Sequence, residues 1–188
     1  SGSGEAGGFI RSSSAVDGPD FQVAGLPTMF DNWREITRHG VSISGWPAKP
    51  TSRGSVRLRA ADALTKPRIR HNYLTTDYDR KVTADGLRRM LEIAEQPSFK
   101  AVTTGPFAIP ESSSDPDLLA FSRAHCTTTW HPVASCAIGQ VVDPELRVFG
   151  VDGLRVADAS VMPSVPRGNT GAVTVMIGEK AADLIKAG

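Results

Sequence analysis

His131 lies between Trp130 and Pro132, and about forty residues later Gly168-Asn169-Thr170-Gly171-Ala172-Val173-Thr174 opens the last helical stretch of the chain. A residue that precedes proline is driven into extended backbone, which aims the imidazole in one direction. An imidazole ordinarily titrates near neutral pH, so it suits the task of accepting a hydroxyl proton. Trp130 beside it is expected to wall a pocket and exclude water. The glycine-flanked helix opening adds a second component. Its free N–H groups and partial positive charge favour an anion or an electron-rich edge. Its small residues let a flat ring come close to the backbone. A structural histidine and an ordinary Asn-capped helix are the plainer alternatives. Taken together, the two components suit a flat, electron-accepting cofactor held against a proton acceptor.

Other constellations carry less. Gly2-x-Gly4-x-x-Gly7 matches a dinucleotide fingerprint in letters only, because that chemistry needs a strand before it and a helix after it. His125, Cys126, His131 and Cys136 are not spaced like a common zinc site, and two buried free thiols are expected instead of a metal. A net charge of +1 with no long Lys/Arg run gives no sign of a nucleic-acid partner. No apolar run approaches the ~20 residues that cross a bilayer. The opening S-G-S-G-E-A-G-G lacks the basic start and apolar block of a signal peptide. Two cysteines make no disulfide framework, so a reducing compartment, the cytoplasm, is the default expectation.

The elements that must position these residues follow from length and periodicity. A chain of 188 residues, 40% hydrophobic and 22% charged, can bury a real core. The first ~50 residues are expected to be loop-rich, with Gly, Ser and Pro scattered among short apolar runs. Val41 to Trp46 alternates as a strand closed by Pro47, Gly54 to Arg59 alternates apolar with basic residues, and Ile69 marks a further short strand. Tyr78, Val82, Leu87, Met90, Leu91 and Ile93-Ala94 recur at threes and fours, so a helix is predicted there that stops before Pro97. A second helix starts at Asp115-Pro116, with proline in its first turn. Leu154-Arg155-Val156 reads as a short strand, and the last helix runs from near Gly171 through Met176, Ile177, Ala181 and Ile185.

The chain resembles the C-terminal part of the glucose–methanol–choline (GMC) family of flavin oxidoreductases. The resemblance rests on Phe9-Ile10-Arg11-Ser12, Ser52 through Leu58, Asn72-Tyr73-Leu74 and Gly86-Leu87-Arg88. It is strongest in H-P-V-A-S-C-A-I-G, in D-P-E-L-R-V-F-G-V-D-G-L-R-V-A-D-A-S-V-M-P and in M-I-G-E-K-A-A-D-L-I. Within the family the pattern is similar to the bacterial choline-dehydrogenase-like group. The resemblance implies that FAD accepts hydride from an alcohol carbon while His131 takes the hydroxyl proton. It implies that Asp158 and Ala159 lie beside the FAD pyrophosphate and ribityl chain. It places Trp130, Thr170, Gly171, Ala172, Val173 and Thr174 near the flavin.

Two departures qualify what is implied. Family members usually carry a second His or Asn in a G-N-T-N-A-P type segment, and here that position is Gly171, which has no side chain. Asn169 matches the earlier Asn of the segment and is expected to substitute poorly. The family's dinucleotide motif also has no credible version here, so the chain is expected to be one piece of a split, cleaved or truncated enzyme, paired with an N-terminal FAD-binding polypeptide. A redox-silent lyase, motivated by Gly171, and a non-catalytic subunit that stabilises a flavoprotein remain open alternatives. The expected fold is α+β: residues 1–140 form an antiparallel-sheet substrate domain with helices, and residues 141–188 return as a strand and helix to complete an FAD-binding α/β domain.

Overall fold

A computed structural model describes residues 4, 6–13, 17–31, 34–36 and 38–187. The fold is mixed α+β with antiparallel sheets. The chain divides into two compact units, one made of residues 1–50 and 76–128 and the other of 51–75 and 129–188. These boundaries reflect compactness, whereas the division expected at residue 140 is one of function. Among the described residues no helix is long and apolar enough to cross a membrane.

The first unit is built on a three-stranded antiparallel sheet, β1 (Ala6–Ile10), β2 (Phe21–Leu26) and β5 (Ser42–Pro47), in the order β1-β2-β5. A separate hairpin pairs β3 (Met29–Asp31) with β4 (Arg34–Ile36). The expectation of a loop-rich opening is therefore corrected. Phe21 and Val23 of β2 are buried and alternate with half-buried Gln22 and Ala24, so the period-two pattern is present but short. At Gly7 a Cβ would meet the Val23 carbonyl oxygen at 2.8 Å, so β1 can lie this close to β2 only with glycine there. Gly7 sits inside a strand, where a dinucleotide fingerprint would need a helix, and Gly2 lies outside the described residues.

Helix α1 (Asp77–Ala94) packs against β5 and β2. Its span agrees with the threes-and-fours spacing, and Thr76 caps it by accepting from the Asp79 N–H at 3.2 Å. Phe21 is only 1% exposed, and its ring fits against Gly45 of β5 and Gly86 of α1. Helices α2 (Pro97–Lys100) and α3 (Asp115–His125) follow, and Ser114 caps α3. Buried Asp20 is satisfied locally by the Ser12 N–H at 2.7 Å and the Ser12 hydroxyl at 2.6 Å. The thiols are not buried as a pair: Cys126 is exposed just past α3 and Cys136 is half-buried.

The second unit contains a hairpin of β6 (Ser55–Arg57) and β7 (Arg68–Arg70), then a long irregular segment, and finally α4 (Gly171–Lys186). The strand expected at Leu154–Val156 is reduced to one bridge, Arg147 to Arg155. Two bonds flank the bridge, Val148 N–H to Leu154 C=O at 2.9 Å and Val156 N–H to Leu146 C=O at 3.0 Å. Val142, Leu146, Val161, Met162, Ile177 and Ala181 form the core of this unit. Val173 and Leu184 extend the inward stripe of α4, which follows the helical period. Met176 and Ile185, expected on the same face, are exposed instead.

Candidate functional site

His131 is half-buried, and the backbone on either side of it is unusual. Trp130 has φ 62° and Ala134 has φ 71°, so two residues with a Cβ adopt the left-handed conformation within five positions. Each such residue costs on the order of 1 kcal/mol and persists only where its surroundings fix it. The fixing contacts lie just downstream. Cys136 donates its N–H to the Ser160 carbonyl at 3.0 Å, and Ile138 donates to the Val161 carbonyl at 2.9 Å. These bonds tie the histidine segment to a single 3-10 turn at Ala159–Val161, whose Val161 is fully buried in the core.

The opening of α4 comes to the same place. Asn169 Oδ1 lies 3.0 Å from His131 Nε2, and Thr170 Oγ1 lies 3.2 Å from His131 Nδ1. Both ring nitrogens are thus engaged by consecutive residues at the helix start. Thr170 is buried at 7% exposure, while Asn169 is exposed, so Nδ1 faces inward and Nε2 faces the open side. Thr170 occupies the N-cap position but caps nothing with its side chain, which leaves its hydroxyl for the imidazole. Asn169, expected to substitute poorly for the family's second catalytic residue, places its amide oxygen on Nε2 of His131.

The remaining candidates divide by what they touch. Gly171 and Ala172 are exposed at the first turn, and a Cβ on Gly171 would meet no heavy atom within 4 Å. Val173 faces the core, and the Thr174 hydroxyl donates back to the Thr170 carbonyl at 2.8 Å. Trp130 is 79% exposed, so it does not close a pocket around the histidine among the described residues. Asp158 caps the 3-10 turn by accepting from the Ser160 N–H at 2.7 Å. Hydrogen bonding from Ser160, through its side chain and its backbone, holds the Asp158 carboxyl below the usual carboxylate range. Ala159 packs against the core. Among the described residues no hydrogen bond joins Asp158 or Ala159 to His131. A shallow cleft lined by Ile10, Arg89, Glu92, Ile93 and Gln96 belongs to the first unit and includes none of these residues.

Thr170, expected at the cofactor, also bonds Nδ1 of His131. The available signal was a threonine at a helix N-cap with no acidic or amide residue three positions on to complete a capping box. The surroundings fit a flat, electron-rich ring: the first turn of α4 has an uncapped N-terminus, and open space lies over Gly171.

Comparison with known proteins gives this geometry its context. A family model described as GMC oxidoreductase matches residues 50–178. An uncharacterized GMC-type oxidoreductase of Mycobacterium tuberculosis is 43% identical over 194 residues, covering 97% of this chain and 37% of that protein. An oxygen-dependent choline dehydrogenase of Klebsiella pneumoniae is 38% identical over 191 residues, covering 97% of this chain and 34% of its own length. The crystal structure of pyridoxine 4-oxidase from Mesorbium loti superposes with a TM-score of 0.85 at 25% identity, covering 99% of this chain and 38% of that one. The chain therefore spans about a third of the length of the curated relatives it matches.

Proposed function

The chain belongs to the GMC oxidoreductases, a family of flavoproteins, and on that premise we propose that it is the C-terminal part of an enzyme that oxidises an alcohol by hydride transfer to FAD, with His131 as the proton acceptor. The observation that carries this reading is the imidazole of His131 held at both nitrogens by the opening of α4. A ring fixed in this way is held in one orientation, which a positioned acid–base group requires. FAD, when bound, supplies the two-electron acceptor for the hydride of the carbinol carbon, which becomes a carbonyl.

The residues of this chain bind, orient and take the proton. The imidazole of His131 receives the substrate hydroxyl proton, and Asn169 Oδ1 and Thr170 Oγ1 hold the orientation of the ring. Gly171 and Ala172 leave room over the first turn, and the amide groups there would favour a negatively polarised edge of the cofactor. Asp158, Ala159, Val173 and Thr174 hold the 3-10 turn and helix-start backbone that would face the cofactor. Residues 141–188 serve the FAD-binding domain and residues 1–140 the substrate side. An N-terminal FAD-binding polypeptide of the same enzyme supplies the remainder of the flavin site.

Anaerobic mixing of the flavin-loaded protein with a panel of alcohols tests the reading. Bleaching of the oxidised flavin band is expected with at least one alcohol. His131→Ala should slow that reduction by roughly 10²–10⁴-fold, the usual worth of a positioned acid–base group, while FAD remains bound. Unchanged reduction in His131→Ala removes His131 from the mechanism. Absence of bleaching across the panel favours the redox-silent lyase that Gly171 motivates.

A further inference from the structure

We infer that the β6–β7 hairpin is a docking surface for an anionic lipid bilayer, with Leu64 at its tip entering the headgroup boundary and its arginines meeting the lipid phosphates. In the ladder Val56 lies opposite Ile69, Arg57 opposite Arg68 and Ser55 opposite Arg70. Side chains alternate across a strand, so the apolar pair occupies one face and Arg57, Arg68 and Arg70 share the other. Like charges set directly opposite each other destabilise a ladder, so folding does not account for the Arg57–Arg68 pair. From Arg53 to Arg70 the chain carries six cations and one acid, Asp62. Asp62 is engaged in the turn, where it accepts from the Leu64 N–H at 3.1 Å and the Thr65 hydroxyl at 2.9 Å. Among the described residues no ion pair joins Arg57, Arg59, Lys66, Arg68 or Arg70 to a carboxylate.

Charge and apolar exposure together select the occupant. Leu64 is 92% exposed and lies between Arg59 and Lys66 in the chain, so the tip offers an apolar side chain flanked by cations. An interfacial anchor needs that combination: the apolar group enters the boundary between headgroups and acyl chains, and the cations are drawn to anionic lipid. A nucleic acid would use the cations and leave the leucine in water. The hairpin is also a two-stranded sheet by itself, and such a ribbon is marginal in water without a surface to pack on. The chain spans about a third of the length of its curated relatives, and further chain packing here would take the Val56–Ile69 face. Burying unpaired arginines is too costly, so the cationic face stays outward. The root of the hairpin is fixed: Asn72 Nδ2 donates to the Arg53 carbonyl at 3.1 Å, and the Thr75 N–H donates to the Ser52 hydroxyl at 3.0 Å.

Co-sedimentation of the flavin-loaded enzyme that contains this chain with lipid vesicles tests the inference. Vesicles of phosphatidylcholine and phosphatidylglycerol in equal parts should bind it at low salt, and vesicles of phosphatidylcholine alone should not. No binding to the anionic vesicles, or equal binding to both, overturns the inference. The combined variant Arg57→Gln, Arg68→Gln, Arg70→Gln should weaken binding about 100-fold, roughly fivefold for each cation removed from the lipid surface. Its flavin content should be unchanged and its melting midpoint equal or higher, because the like-charge pair is gone. Unaltered vesicle binding in that variant overturns the inference. Lost flavin or a lowered midpoint does so too, because it assigns the arginine face to an acidic part of the enzyme itself. The matching Arg→Lys variant keeps the charge and should bind within a few-fold of wild type. If it falls as far as the Gln variant, the arginines form a specific phosphate site and not a lipid-facing surface. Leu64→Gln should weaken binding about tenfold by removing the inserted apolar group. Wild-type binding by Leu64→Gln rules out the bilayer as the occupant.

Discussion

Replacing Gly171 is the sharpest test of how this site departs from its relatives. A Cβ built there meets no heavy atom within 4 Å, and the residue is not in the left-handed region, so neither packing nor backbone within this chain demands glycine. Gly171→Ala should then be tolerated or mildly stabilising, by about 0.4–1 kcal/mol, through lost freedom in the unfolded chain. The gain belongs at the low end because position 171 opens the helix and does not lie in its interior. Thermal melting of the protein that contains this chain reads the effect. Gly171→Asn asks the chemical question. A missing hydrogen bond to a reacting group is worth about 10²–10³ in rate, which bounds the gain from above. Asn169 already occupies Nε2 at 3.0 Å, so the expected gain in anaerobic flavin reduction is nearer tenfold. The gain should grow when Asn169→Ala is combined with it. A clear drop in the melting midpoint of Gly171→Ala would refute the reasoning, because it would show that another segment fills the space. Stable Gly171→Ala with slower Gly171→Asn would instead assign that space to substrate.

Two further expectations concern the scaffold. In Gly86→Ala the new Cβ would meet the Phe21 ring at 2.3–2.4 Å, and overpacking of about 1–3 kcal/mol should outweigh the ~1 kcal/mol gained in helix propensity. Denaturant unfolding should show net loss, and Phe21→Leu in the same chain should recover part of it. Asp158 contributes through a depressed carboxyl value, so its stabilisation is present above the ordinary unfolded value of ~3.9 and fades as pH falls through the folded value. The stability difference between wild type and Asp158→Asn should therefore shrink as pH is lowered from about 5 to below about 3, as read by pH-dependent melts.

Helices were the most legible part of the sequence because each combines a periodic stripe with an end signal. Tyr78 to Ala94 has the spacing, Thr76 begins it and Pro97 follows it. Asp115-Pro116 opens α3 in the same way. Strands at 42–47, 55–57 and 68–70 were legible from alternation. Those at 6–10 and 21–26 were not, because glycines at 7, 8 and 25 interrupt the pattern. Gly7 is there for close approach to Val23, which is a tertiary requirement that no local window shows. Gly45 and Gly86 are illegible for the same reason: each makes room for one ring, Phe21, from a different element.

The site divides along the same line. Residue types and their order marked His131, Asn169 and Thr170, but their pairing spans 38 and 39 positions, and no spacing rule encodes it. What brings them together is the core of the second unit. Ala159 and Val161 carry the 3-10 turn that anchors 136–138, while Val173, Ile177 and Ala181 seat α4 on the same apolar cluster. The imidazole and the helix opening are thus referenced to one packed body. Left-handed Trp130 and Ala134 bracket the histidine, and that anchoring helps to offset their cost. It follows that the geometry at Nε2 depends on buried residues such as Val161 that never face a substrate. A conservative truncation there would disturb His131 and Asn169 together, whereas a change at exposed Trp130 or Ala172 would act on what approaches the site and leave the His131–Thr170 bond intact.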